Sequence, residues 1–430
     1  MTPRSDPVLG TALAILLATL TLDWILLARV GGFAINLNYF GAILAAGLIG
    51  LRDTGPRATF VMLRLAGVVG AFYVLYLAIL FLGLVGSDGQ GIVFRQVFFV
   101  IIGLATSAVV LALHGSAGLL RWAALAGIVA FVLTTEVLAR RIGQSWLTAV
   151  PKFVMSGDLN SMIYGFLRDT FNVLSDNPDD PVQASAKNAV AVALWTLAVL
   201  YRAATPKPVD WAGRIVLVGV IGLLLAMSTR SAIIVALVAL PVSYGIAVAR
   251  SGVRDLTFLL IAGGIALIIA VGGYLIVIDD SAVAGILGER LSLNDSSSAA
   301  RIDQYRWAIT RIEGAWLLGS GYAEIDGHPV HNLFLGAWMH AGIFAFLLVS
   351  AAYLTGLGLW LRFVLIVTRH PEHWRLPMRV EWVALLPLIG LFRVWLSGDA
   401  GHPIFVEWIG YGLFGGLVAA NFYAVQRTGA

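Results

Sequence analysis

The 430-residue chain has no cysteine, which excludes disulfides and thiolate metal sites and says nothing decisive about compartment. Charge is scarce as well. Only 12% of residues are Asp, Glu, Lys or Arg, where a soluble domain carries about 25%, so the chain cannot cover a water-facing surface. No internal repeat is visible, and the inverted-repeat plan of many transporters has no support. The basic residues do not cluster, so the net charge of +4 is not read as a nucleic-acid signal.

What is abundant is apolar sequence. Hydrophobic residues make up 59% of the chain and mean hydropathy is +0.89. Apolar runs long enough for a helical span of about 20 residues recur to the C-terminus. Backbone polar groups in lipid must be satisfied internally, so the spans are expected to be helices, and 47 glycines are compatible with that. The expected fold is therefore all-α, a single polytopic membrane domain over residues 1–430. About twelve spans are expected, near 8–28, 33–51, 60–86, 92–113, 118–139, 188–204, 212–227, 232–249, 255–278, 331–361, 380–397 and 404–424. The first run follows Arg4 as a signal peptide would. It lacks a clear small-x-small cleavage site and is read as a retained span.

Orientation follows from the cations in the short connections. Arg4, Arg52, Arg57, Arg64, Arg121, Arg202, Lys207, Arg214, Arg250, Arg254, the group from Arg362 to Arg379, and Arg427 alternate onto one face. The opposite connections hold little beyond Arg29, Arg95, Arg230 and Arg393. The positive-inside rule then places both termini in the cytoplasm. Two long segments, 140–187 and 279–330, fall on the outer face, where long loops concentrate function. In the second, Ser296-Ser297-Ser298 offers helix N-caps, and Ile302, Tyr305, Ile309, Ile312 and Trp316 form one apolar stripe of an amphipathic helix. That helix is expected to lie in the interface, with Arg301, Arg306 and Arg311 towards water or a ligand.

Several residues carry candidate chemistry. Arg230, in Ser228-Thr229-Arg230-Ser231, is either a snorkelling interfacial arginine or a fixed guanidinium suited to bidentate phosphate recognition. Arg301 is the loop-helix candidate, and Arg290, Arg306 and Arg311 compete for its role. His331 opens the tenth span, where helix potential favours neutral imidazole and attracts an anion; the alternative is a capping histidine. His340, nine residues on, is read as a packing group on the other side of the helix. Glu136 and Arg140 stand four apart and are expected to pair. Lys187 is an outer cation, an anchor or a ligand. Arg393, Asp399 and His402 gather at the last outer turn, where Arg393 either pairs with Asp399 or supports the site. Asp179-Asp180 and Asp279-Asp280 resemble acidic metal pairs without further ligands at convincing spacing, so no metal and no cofactor are expected.

An arginine-bearing turn between middle spans, an outer loop with Arg301 and Trp316, the Gly319-Ser320-Gly321 turn, and His331-Asn332 followed by Gly342 together resemble the bacterial O-antigen ligases and related O-antigen polymerases. Ala345 stands where that histidine motif usually ends in Gly, Thr or Tyr, and Tyr305 and Ile234 stand where the family's Arg-x-x-x-Leu pattern has leucine. The resemblance implies an inner-membrane, metal-independent glycosyltransferase with a periplasmic site. Its donor would be an undecaprenyl-diphosphate-linked glycan, and its acceptor lipid A–core or a second lipid-linked glycan. It implies that Arg230 and Arg301 hold the diphosphate, that His331 activates or positions the acceptor, and that Asn332 belongs to the motif. A lipid or solute transporter is the alternative from another class.

Overall fold

A computed structural model describes residues 6–30, 33–50, 56–87, 89–156, 166–167, 170, 187–205, 210–227, 230–251, 296–323, 330–396 and 402–427. Helix dominates. In chain order α1 is Pro7–Thr19, a 3-10 turn covers Leu20–Leu22, and strands β1 (Leu26–Val30) and β2 (Phe33–Asn36) form an antiparallel hairpin. Helices α2 (Leu37–Gly50), α3 (Pro56–Gly83), α4 (Gln90–Ala112), α5 (Ala117–Arg141) and α6 (Trp146–Ser156) follow. Then come α7 (Lys187–Ala203), α8 (Trp211–Ala226), α9 (Arg230–Arg250) and α10 (Ser296–Gly314). The chain closes with α11 (Leu333–Arg369), α12 (Val380–Val383), α13 (Leu388–Leu396) and α14 (Phe405–Arg427). Among the described residues, four helices are long and apolar enough to cross a membrane: α4, α5, α11 and α14. That is the helix content of a membrane protein.

Four expected spans take another form, among them 33–51, which opens as β2 before α2 begins. The run 8–28 is helical only to Thr19. Its apolar continuation pairs as β1 with β2. The run 380–397 is divided between α12 and α13, with Pro387 between them, a residue that offers no backbone N–H. The tenth span is longer than expected, reaching Arg369, and is interrupted at Gly342. The expected span 255–278 lies outside the described residues.

The chain divides into two units. The first comprises Met1–Asp53, Gly115–Leu291 and Pro377–Leu385. Its centre is α7, in which every residue from Ala189 to Ala203 is buried. At one end of α7, Asp210 gathers cations: Arg121 Nη2 lies 3.6 Å from Oδ1 and Arg202 Nη1 3.8 Å from Oδ2. The same carboxylate accepts from the backbone N–H of Gly213 at 3.0 Å, in the first turn of α8. The expected Glu136–Arg140 pair is present at 2.7 Å, and Glu136 also accepts from Ser145 Oγ and the Trp146 N–H, which fixes the start of α6.

The second unit comprises Thr54–His114, Ser292–Leu376 and Leu386–Ala430. Here α14 packs along α4 and α11 along α3. A polar seam runs inside it. Tyr73 donates to Gln96 Oε1 at 3.0 Å, Trp408 Nε1 donates to the same oxygen at 3.3 Å, and Gln96 Nε2 donates to the Pro403 carbonyl at 2.8 Å. Tyr76 Oη and His402 Nδ1 lie 3.3 Å apart. Beside them Arg393, 1% exposed, is bonded through Nε and Nη2 to the two carboxylate oxygens of Glu407, and the Ile404 N–H donates to Glu407 at 2.9 Å. Glu407, in the first turn of α14, is thus a partner of Arg393. Asp399, the expected partner, lies outside the described residues.

A buried ion pair leaves a costly orphan when one member is removed. Glu407→Gln should therefore destabilise the protein by about 3–5 kcal/mol. The double substitution Arg393→Met with Glu407→Leu should recover most of that loss. Thermal unfolding of the purified protein in detergent measures both.

Candidate functional site

The residues singled out from the second long segment converge in the second unit. Helix α10 lies on the start of α11 through Ala308 and Ile312, which pack with Val330 and Met339 and are flanked by Tyr305, Trp307, Leu335 and Trp338. The expected single stripe resolves into two faces. Tyr305, Ala308 and Ile312 turn towards α11, whereas Ile302, Ile309 and Trp316 recur every seventh residue as an exposed row. Burial rather than hydrophobicity decides which face packs. Ala308 is 0% exposed because a methyl group lets the two helices approach.

This rotation separates the arginines. Arg301 precedes Tyr305 by four residues and Ala308 by seven, which places its position on the packed face. Arg306 is exposed and pairs with Asp303 at 3.5 Å, and Arg311 lies over the exposed side of the helix with its Cζ 4.9 Å from the Trp307 ring centroid. An exposed pair of the Arg306–Asp303 kind contributes little stability. Arg290 lies outside the described residues.

His331 is half-buried, one residue ahead of the cap of α11. The cap itself is Asn332. Its Oδ1 accepts from the N–H groups of Phe334 and Leu335, both at 3.0 Å. His331 is therefore not the capping residue, and two first-turn N–H groups that an anion would seek are already bonded. The His331 carbonyl accepts from Tyr305 Oη at 3.4 Å, which ties the arginine-bearing helix to the histidine turn.

Just beyond lies the interruption of α11. Gly342 has φ 79° and ψ −172°, a conformation essentially reserved for glycine. Helical bonding lapses there, and the chain after α10 supplies replacements. Ser320 N–H donates to the Met339 carbonyl at 2.7 Å, and the Ile343 N–H donates to the Trp316 carbonyl at 3.1 Å. Trp338 Nε1 also donates to that carbonyl, at 2.9 Å. The approach is backbone to backbone: a Cβ on Gly319, itself at φ +79°, would stand 2.6 Å from the Ala341 nitrogen. The Gly319-Ser320-Gly321 turn is thus a seat for a broken helix. His340, adjoining the break, is fully buried with its ring centroid 5.6 Å from that of Tyr322, as expected of a packing group.

The other candidates distribute as follows. Arg230 occupies the first position of α9, and Lys187, half-buried, the first of α7; both belong to the first unit. Arg393 faces Glu407 inside the second unit. The pairs Asp179-Asp180 and Asp279-Asp280 lie outside the described residues. The sequence reading missed Tyr305 as a link to His331, the Tyr73–Gln96–Trp408 seam, and Glu407. It also passed over His370, Glu372 and His373, whose ligand atoms all lie within 4.8 Å of one another. The spacing His-x-Glu-His was the available signal for that group. No protein-family model matches the chain, and no curated protein matches it either.

Proposed function

We propose that this protein transfers a glycan from an undecaprenyl-diphosphate carrier to an acceptor hydroxyl, as an O-antigen ligase does onto lipid A–core. The observation that carries the reading is the contact between α10, the helix that bears Arg301, and the turn that bears His331. A diphosphate leaving group calls for fixed positive charge, and a hydroxyl nucleophile calls for a base. In this scheme His331 accepts the acceptor's proton while the acceptor oxygen attacks the anomeric carbon. The anomeric C–O bond breaks as the new bond forms, and undecaprenyl diphosphate leaves with the bonding pair. Arg301 stabilises the charge that develops on the diphosphate. In this proposal the site faces the periplasm in an inner membrane and both termini are cytoplasmic, an orientation that the distribution of cations among the short connections supports. The polymerase reading keeps donor and chemistry and changes the acceptor to a second lipid-linked glycan.

Purified protein supplied with an undecaprenyl-diphosphate glycan and alternative acceptors tests the proposal. One transfer onto the core lipid marks a ligase, a chain growing on undecaprenyl diphosphate marks a polymerase, and no transfer to any acceptor overturns both. Arg301→Ala should lower kcat by about 10²–10³-fold, the loss seen when one transition-state charge stabiliser is removed. Arg306→Ala, on the exposed side, should leave kcat nearly unchanged. Equal effects of the two would refute the assignment of the packed face.

Transport remains a second reading because the second unit encloses ionisable groups, the Arg393–Glu407 pair and His340 among them. Solute or lipid flux in sealed vesicles without glycan transfer would favour it.

A further inference from the structure

The end of α11 opposite His331 presents a second cluster of chemistry, unrelated to the arginines and histidine of the transfer scheme. At Arg369 the helix stops, and Pro371–His373 forms a single 3-10 turn closed by the His373 N–H on the His370 carbonyl at 3.0 Å. The turn is anchored from outside. Asn421 of α14 donates through Nδ2 to the His373 carbonyl at 2.7 Å, and its Oδ1 accepts from the Arg375 N–H at 2.6 Å. On this held backbone three side chains stand in solvent and turn towards one another. His370 Nδ1 lies 3.3 Å from Glu372 Oε1, and His373 Nε2 lies 4.0 Å from the same oxygen. The two imidazoles stack at 5.0 Å between centroids and 23° between planes.

We infer that His370, Glu372 and His373 form a binding site for a divalent transition-metal ion, with Zn²⁺ as the best-suited occupant. Two imidazoles and one carboxylate make a donor set suited to zinc and its first-row neighbours, whereas Mg²⁺ and Ca²⁺ prefer oxygen ligands. Metal–ligand bonds of about 2.0–2.2 Å in tetrahedral geometry separate ligand atoms by about 3.4 Å. The His370–Glu372 spacing of 3.3 Å already meets that requirement, and the 4.0 Å spacing closes by a side-chain rotation that exposed residues can make. Backbone rearrangement is not needed, because the turn is fixed by Pro371 and Asn421. The flanking cations Arg369 and Arg375 oppose any ion, so binding depends on the imidazoles rather than on general negative potential. Three protein ligands leave a fourth position for water.

The test uses the full-length protein in detergent with any affinity tag removed. Titration with Zn²⁺ by calorimetry should show one site per chain, and Co²⁺ substitution should give the visible absorption of a tetrahedral ion. Excess Mg²⁺ should not compete. His370→Ala and His373→Ala should each weaken Zn²⁺ binding by about tenfold or more, and Glu372→Gln should do the same. Wild-type protein without a saturable site, or a His370→Ala/His373→Ala double variant with unchanged affinity, overturns the assignment. None of these readouts involves glycan transfer, so failure here leaves the transferase proposal untouched, and the reverse holds as well.

Discussion

Replacing His331 with alanine should lower the rate of glycan transfer by about 10²–10⁴-fold, the contribution typical of one general base. The substitution leaves two features of this turn in place. The cap of α11 is made by the Asn332 side chain, and the bond from Tyr305 goes to the His331 backbone carbonyl, which alanine retains. Thermal unfolding in detergent should therefore be nearly unchanged while transfer collapses. Asn332→Ala should show the opposite balance, losing about 1 kcal/mol of stability as an N-cap does. Kinetics and unfolding measured on both variants separate the two roles. Full activity of purified His331→Ala protein would sink the general-base assignment.

Gly342→Ala should destabilise the protein by about 3 kcal/mol or more, a large loss for one methyl group. Two costs combine. The backbone at φ 79°, ψ −172° lies where an L-residue is strained by about 1–3 kcal/mol. The new Cβ would also be driven into the Leu317 carbonyl, which is backbone and cannot swing aside. Gly358→Ala in the same helix is the control. Nothing lies within 4 Å of a Cβ there, and replacing a helical glycine by alanine favours the helix by about 1 kcal/mol. Chemical unfolding in micelles should rank the variants Gly358→Ala, wild type, Gly342→Ala. A Gly342→Ala protein as stable as wild type would mean that the break in α11 is not a fixed feature of the fold.

The features legible in the sequence are those that depend on near neighbours. Glu136 and Arg140 pair because one helical turn brings them together. The start of α11 is marked by Asn332, a good N-cap followed by an unbroken apolar run. Features that depend on a distant partner were hidden. Arg393 meets Glu407 only because α13 packs on α14. The break at Gly342 sits inside continuous hydrophobic sequence, where glycine is ordinary; only the chain from Trp316 to Ser320 lodged against it distinguishes this glycine from Gly336 or Gly358. The face of α10 was misjudged because a hydrophobicity count overlooks Ala308, whose small size is what lets the helix dock. Likewise β1 and β2 hide in an apolar run because short strands and helices draw on the same residues.

The bonds across the break in α11 also carry an order in time. Trp316 and Ser320, which receive and supply hydrogen bonds at Met339 and Ile343, precede those residues in the chain. They have been synthesised before the interrupted helix leaves the ribosome. The exposed peptide groups of Gly342 and its neighbours thus meet waiting partners, and no polar gap must linger in hydrocarbon while a later segment is made. Directional synthesis is in this sense part of what makes a broken helix tolerable at this place in the chain.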